Sequence, residues 1–134
     1  MSIESFDDLL RLTQQQTQPQ RLLLVFANAE LPDDATASQR SAFERGEGGA
    51  LAPHMCVDKL PDEVGNFSQL LQESAEHSPH WSVVFIAAMS GTQGKAPTSQ
   101  AADPHLQRMV EMIRVGKLDG LVPFDRQGHT VQLG

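Results

Sequence analysis

Two nearly uninterrupted apolar runs, at residues 22–27 and 83–89, restrict what this chain can fold into. Each has the length of a β-strand and is far shorter than the roughly 20 apolar residues that a membrane-spanning helix needs. A strand that is apolar throughout, instead of alternating with polar residues, is typical of a strand buried on both faces of a sheet. We therefore expect a sheet whose central strands are covered on both sides.

Helices are indicated by capping signals and by apolar residues at helical spacing. Ser5 and Asp8 have the spacing of a capping box, and Pro61 suits the first position of a helix. Asp103 followed by Pro104 predicts the beginning of the last helix. The expected apolar faces are Phe6, Leu9, Leu10 and Thr13 in the first of these helices, Val64, Phe67, Leu71 and Ala75 in the second, and Leu106, Met109, Val110 and Ile113 in the last.

The remaining elements complete an α/β fold. A short helix is expected at residues 38–45, and residues 51–57 read as a strand that Pro53 assigns to an edge or a strand end. Near the C-terminus, LVPF and HTVQL flank DRQG, which predicts a β-hairpin. The prediction is one domain at residues 1–134: a mixed β-sheet of about five strands with helices packed on it, right-handed crossovers and a C-terminal β-hairpin.

Composition excludes several classes of partner. The 134 residues are 40% hydrophobic and 20% charged, which is typical of a globular domain. The formal net charge is −7 without a cluster of Lys or Arg, so binding to nucleic acid or to an anionic membrane surface is disfavoured. The acidic N-terminal segment has no secretory signal pattern, and the single cysteine, Cys56, permits no internal disulfide. We expect a cytoplasmic protein.

The glycine-rich segment SGTQGKAPTS, at residues 90–99, lies between a predicted buried strand and a helix, where many proteins bind phosphate. Its glycine spacing and the alanine after its lysine do not fit a Walker loop, and the predicted helix begins too late for a dinucleotide fingerprint. The segment is therefore either a mobile connection or a ligand loop at the carboxyl end of a central strand. As a ligand site, it would consist of Ser90, Gly91, Thr92, Gly94 and Lys95, facing Asn28 and Glu30 after the first strand.

Other residues with reactive or metal-binding side chains lack the additional functional residues that catalysis or metal binding needs. His54 and Cys56 lie two apart on a strand and would share a face, but no third residue is evident to orient them. His77 and His80 are expected to face solvent, because no acid or cysteine at metal-site spacing accompanies them. Asp125 suits the first position of the predicted turn. We therefore assign no catalytic residue, no metal and no cofactor.

Several longer stretches resemble a known group of proteins. They are LLLVFANAELPDDAT, FERGEGGALAPHMCVDK, the SG..G.APTS loop, LQRMVEMI and PFDRQG. Across nearly the whole chain they resemble a family of small uncharacterised proteobacterial proteins that are sometimes labelled ribonucleotide reductase alpha subunit. That label implies a large barrel, a thiyl-forming cysteine, a redox-active cysteine pair and nucleotide sites, whereas this chain has one cysteine and a fraction of the length. The label is chemically implausible, and the resemblance carries over no catalytic residue.

Two functions stay open at this point. The first is a small non-catalytic module that binds a protein partner or associates with itself, with the terminal hairpin offering an edge for a homodimer. The alternative is a protein, or a minor enzyme, that binds a small ligand or an anion at residues 90–99.

Overall fold

The computed structural model describes residues 3–30, 34–45, 50–77 and 80–131, without the side chains of residues 29, 30, 43 and 50. Over these residues the strands are β1 (Gln20–Glu30), β2 (Ala50–Lys59), β3 (Val83–Ser90) and β4 (Val122–Phe124). The helices are α1 (Phe6–Gln14), α2 (Ala37–Glu44), α3 (Pro61–Val64), α4 (Phe67–His77) and α5 (Ser99–Arg114). Helices and strands alternate along most of the chain, as the α/β prediction requires.

The four strands form one sheet in the order β2-β1-β3-β4, and every neighbouring pair is antiparallel. The sequence predicted a mixed sheet of about five strands, so the number and the directions both differ. Helices that connect two strands typically indicate that these strands are parallel neighbours in the sheet. Here α3 and α4 connect β2 to β3, but β1 lies between these two strands. These two strands are parallel to each other and do not touch, because each pairs with an opposite edge of β1.

Both faces of the sheet are covered, as the apolar runs predicted. On the front face, side chains such as Leu22, Leu24 and Phe26 pack under α1, α3 and α4. On the back face, side chains such as Leu23 and Val25 pack under α5. All residues of β1 from 22 to 27 are at most 3% exposed. Strand β1 is therefore the centre of a three-layer arrangement with helices on either side.

The first helix forms as its sequence predicted. The Ser5 hydroxyl accepts a hydrogen bond from the Asp8 amide, and the Asp8 carboxylate accepts one from the Ser5 amide, which completes the capping box. A further hydrogen bond from the Glu4 amide lowers the pKa of the Asp8 carboxyl below its usual value. The buried residues of α1 are the predicted Phe6, Leu9, Leu10 and Thr13.

Two helix predictions need correction. The helix predicted from Pro61 is divided at Gly65, whose φ of 76° ends α3. The predicted apolar stripe of the following helix ran through Leu71 and Ala75, whereas the buried residues of α4 are Phe67, Leu70 and Ser74. The last helix begins at Ser99, because the Thr98 hydroxyl caps it by accepting from the Ala101 amide. Asp103 and Pro104 therefore lie inside α5 and do not cap it.

The C-terminal hairpin is present in part. Asp125 accepts hydrogen bonds from the Gln127 and His129 amides through its carboxylate, as expected for the first residue of this turn. The second arm makes isolated bridges from His129 to Ser5 and from Thr130 to Phe124 and is no regular strand over the described residues. Residues 132 and 133 of the predicted second arm lie outside the described residues.

Replacing Gly128 with Ala is expected to destabilise the fold more than replacing Gly116 with Ala. Both glycines have positive φ, 79° and 80°, so either change costs about 1 kcal/mol of backbone strain. A Cβ at Gly128 would also lie 3.0 Å from the Phe67 ring, whereas one at Gly116 meets nothing within 4 Å. This contact adds about 1 kcal/mol or more. Urea unfolding followed by Trp81 fluorescence measures both; equal losses would contradict the packing at Gly128.

Candidate functional site

The glycine-rich loop after β3 is a tight two-residue hairpin. The amides of Thr92 and Lys95 each donate to the carbonyl oxygen of the other at 3.0 Å. Between them, Gln93 and Gly94 have φ values of 53° and 76°. Two consecutive positive φ values are typical of a type I′ turn, which Gly and Asn favour and which suits a short hairpin. Local turn chemistry therefore accounts for this part of the loop.

The amides that would cradle a phosphate already donate to protein oxygens. The Gly91 amide donates to the Pro19 carbonyl at 2.8 Å, and the Gly94 amide donates to the Gln18 side-chain oxygen at 2.9 Å. A phosphate loop directs several free backbone amides towards one point. Here the amides of residues 91, 92, 94 and 95 all have acceptors within the fold. An anion would have to displace these hydrogen bonds.

The predicted site residues are not brought together. Strands β1 and β3 are neighbours, as expected, but they are antiparallel, so Ser90 pairs with Gln20 at the beginning of β1. Asn28 lies beyond Ala27, which pairs with Val83 at the opposite end of β3. The loop that contains Lys95 and the carboxyl end of β1 are thus at opposite ends of the sheet. The side chain of Glu30 lies outside the described residues, but its backbone is at the far end with Asn28.

Cys56 is half-buried on the back face, and its environment does not activate the thiol. Burial raises the pKa of Cys56, and the charge of Asp103 raises it further. A nucleophilic cysteine needs a lowered pKa. The register between β1 and β2 shifts at His54, because Phe26 pairs with Met55 and Ala27 pairs with Pro53. The simple alternation that would put His54 on the same face as Cys56 is therefore interrupted.

The two histidines at the end of α4 and after it face solvent, and Arg126 in the terminal turn has a structural role. His77 and His80 are exposed, as predicted. Arg126 donates to the Trp81 carbonyl at 2.8 Å and its guanidinium carbon lies 4.7 Å from the centre of the Trp81 ring. Within the described part of the chain, no group of three or more His, Cys, Asp or Glu residues is arranged to hold a metal ion.

A cleft of about 500 Å³ lies beside the loop, between the end of α1 and the beginning of α3. Its wall includes Ala96 and, on the opposite side, Leu60 and Asp62. Most other lining side chains are uncharged amides and hydroxyls, namely Thr13, Gln14, Gln16, Thr17, Gln18 and Gln20. This lining offers no cation to an anionic ligand.

The backbone of β1 divides its hydrogen bonds between its two neighbours. The Gly91 amide donates to Pro19 in continuation of the β1–β3 register, so residues 19 and 91 form a hydrogen-bonded pair. Hydrogen-bonded and non-hydrogen-bonded pairs alternate along antiparallel strands. The odd-numbered residues of β1 therefore bond to β3, and its even-numbered residues bond to β2.

This alternation shows which groups of β2 point outward. The even-numbered residues 22, 24 and 26 of β1 pair with Lys59, Val57 and Met55. Between these, Cys56 and Asp58 must direct their N–H and C=O groups away from β1. No strand among the described residues pairs with that side of β2. We call the outer side of β2 at residues 55–59 the open edge.

The hairpin edge, which the sequence suggested for a homodimer, is occupied. Pro123 in β4 has no N–H, and its carbonyl accepts from the Val131 amide at 3.2 Å. The second arm is covered in turn, because the Thr130 amide donates to the Glu4 carbonyl at 3.3 Å. At the other side of the sheet, β2 has no strand partner on its outer side among the described residues. Pro53 was the sequence signal for this edge.

Comparison with known proteins assigns neither a family nor a function to this chain. No family model matches the sequence, and neither a curated protein nor a solved structure matches at a significant level. The resemblance to the small proteobacterial family therefore stays a prediction. Among the residues that the structure describes, no helix has the combined length and hydrophobicity that crossing a membrane requires.

Two substitutions test whether the loop is a structural turn. Ala at Gly91 is expected to cost about 1–3 kcal/mol, since its Cβ would lie 1.9 Å from the Lys95 carbonyl oxygen. Ala at Lys95 is expected to change the free energy of unfolding by no more than about 0.5 kcal/mol. Thermal unfolding in added phosphate is expected to be the same for the wild type and Lys95→Ala. Stabilisation by phosphate that disappears in Lys95→Ala would establish an anion site instead.

Proposed function

We propose that this protein is a small non-catalytic interaction module that binds another protein chain, either a partner or a second copy, by pairing with the open edge of β2. The observation that carries the proposal is the outward direction of the Cys56 and Asp58 backbone groups. Unpaired strand groups at a sheet edge are a template for an added strand, and many interaction domains use them in this way.

The two edges of the sheet differ in a way that supports this proposal. Natural proteins protect edge strands with prolines, short lengths or covering segments. β4 has all three, since it has 3 residues, contains Pro123 and is flanked by residues 129–131. β2 has 10 residues, and its proline and register shift affect only positions 53 and 54. The protection therefore stops before the open edge.

The side chains of the open edge are apolar enough to favour association. Met55 and Val57 are half-buried against the front core, and Cys56 is half-buried against the back core. Completing the burial of such side chains is favourable by about 25 cal/mol for each Å² removed from water. The free thiol of Cys56 is compatible with a reducing compartment, and we propose that the protein acts in the cytoplasm.

Ligand binding at residues 90–99 has less support. The amides of residues 91, 92, 94 and 95 donate to acceptors within the fold, and the lining of the neighbouring cleft contains no cation. The edge of β2 has backbone donors and acceptors without a strand partner in the described part of the chain.

A proline at Cys56 is expected to abolish association while a serine preserves it. Proline removes the outward N–H that an added strand needs, and no bond to β1 is lost. Cys56→Ser keeps this N–H and removes the thiol, so it is the matched control. The measurement is sedimentation velocity of the terminally labelled protein. The purified protein is measured over a wide range of concentrations, and the labelled protein is also measured in an extract of its source cells. Wild type and Cys56→Ser are expected to form complexes in at least one of these conditions.

Circular dichroism and urea unfolding establish that Cys56→Pro is folded before it is compared. Complexes that form equally with Cys56→Pro would show that another surface is used. A wild-type protein that sediments as a monomer at every concentration and in the extract would contradict the proposal.

A further inference from the structure

A groove lies on the front face between the open edge of β2 and helix α4. From the strand it is lined by His54, Met55 and Val57, and from the helix by Glu73 and His77. The space between these walls is about 580 Å³ and is open to solvent. Because α4 lies along the strand, the groove lies directly beside the backbone groups that an added strand would use.

The floor of the groove has a small apolar recess of about 20 Å³. Phe26, Met55, Val57 and Leu70 provide most of its wall. The Ser74 hydroxyl, which also borders it, donates to the Leu71 carbonyl and accepts from the Trp81 indole N–H. Its hydrogen bonds are thus made within the fold. A recess of this size holds about one water-sized group, so it fits a single methyl group of a small aliphatic side chain, such as that of Ala.

The strand geometry determines which residues of an added strand would reach this recess. Side chains alternate between faces along a strand, and directly opposite residues in an antiparallel pair point to the same face. Residues opposite Met55 and Val57 would therefore point into the groove. The residue between them, opposite Cys56, would point to the back face. The recess beside Met55 and Val57 therefore favours an apolar side chain at a position opposite one of these two residues.

The charges of the chain favour a basic occupant over a second copy. The formal net charge is −7, so two copies repel each other, whereas a positively charged segment is attracted. Glu76, which precedes the groove-lining His77 on α4, is exposed. The nearby ion pairs, Lys59 with Glu73 and Arg21 with Asp58, both at 2.6 Å, are neutral overall. The attraction for a basic segment therefore rests on the net charge of the chain and on the exposed Glu76 carboxylate.

From these observations we infer that the open edge and the groove bind an extended, positively charged segment of a different protein. The segment adds to β2 as an antiparallel strand and places a small aliphatic side chain in the recess opposite Met55 or Val57. This inference rests on the proposed function of the open edge and specifies its partner. The bound segment follows β2 from Met55 to Lys59, because Pro53 and the register shift at His54 end the regular edge.

The test is selection from a phage-displayed library of random linear peptides on the immobilised full chain. We expect the enriched peptides to be basic and to share a small aliphatic residue. The best peptide, labelled with fluorescein, is then measured by fluorescence anisotropy against four variants. Met55→Lys puts a charge at the recess, and Met55→Leu is its control of similar volume. Glu76→Lys reverses a surface charge, and Glu76→Gln is its neutral control.

Met55→Lys is expected to weaken binding at least about tenfold, while Met55→Leu retains it. Glu76→Lys is expected to weaken binding more than Glu76→Gln, and the difference should shrink at high salt. Failure to enrich any peptide, or enriched peptides that bind all four variants equally, would overturn the inference. If purified wild type forms dimers that Cys56→Pro abolishes while no peptide is enriched, the occupant is a second copy and the proposed function still stands. If neither association nor enrichment occurs, both fail.

Discussion

The structure depends on the burial of one strand, β1, on both of its faces. Six consecutive side chains from residue 22 to residue 27 are almost completely removed from water. Burying a large aliphatic or aromatic side chain contributes about 1.5–3 kcal/mol, so this strand is a large part of the driving force for folding. Because odd and even residues of β1 point to opposite faces, both faces must be covered. This requirement explains why α1 and α4 lie on one side of the sheet and α5 on the other.

Because the centre of the sheet is covered on both faces, its edges are the parts of the sheet at which another chain can bind. From residue 22 to residue 27, β1 pairs with a strand on each side, and its side chains there belong to the core. At one edge, β4 is short and is covered by the segment that follows the hairpin turn. At the other edge, β2 is long and has a groove next to it, under α4. The asymmetry between the edges is the structural basis of the proposed interaction module.

Local sequence signals predicted the elements well, because they act over a few residues. The capping box of Ser5 and Asp8 and the Asp125 turn were both found as predicted. Strand direction could not be predicted, since double-sided burial produces the same apolar run in parallel and antiparallel strands. The prediction that Ser90 and Asn28 face each other was wrong for that reason. Both lie near the carboxyl ends of their strands, and antiparallel strands have their carboxyl ends at opposite ends of the sheet.

Amide hydrogen exchange in the free protein, resolved by residue with NMR, tests the central claim about β2 most directly. If the edge is open, the Cys56 and Asp58 amides have no partner on a neighbouring strand and should exchange rapidly. The amides of Met55 and Val57, which bond to β1, should exchange slowly, at rates similar to those of the neighbouring core. Equal and strong protection of all four amides at a concentration where the protein is monomeric would contradict the account, because it would mean that the edge is already covered.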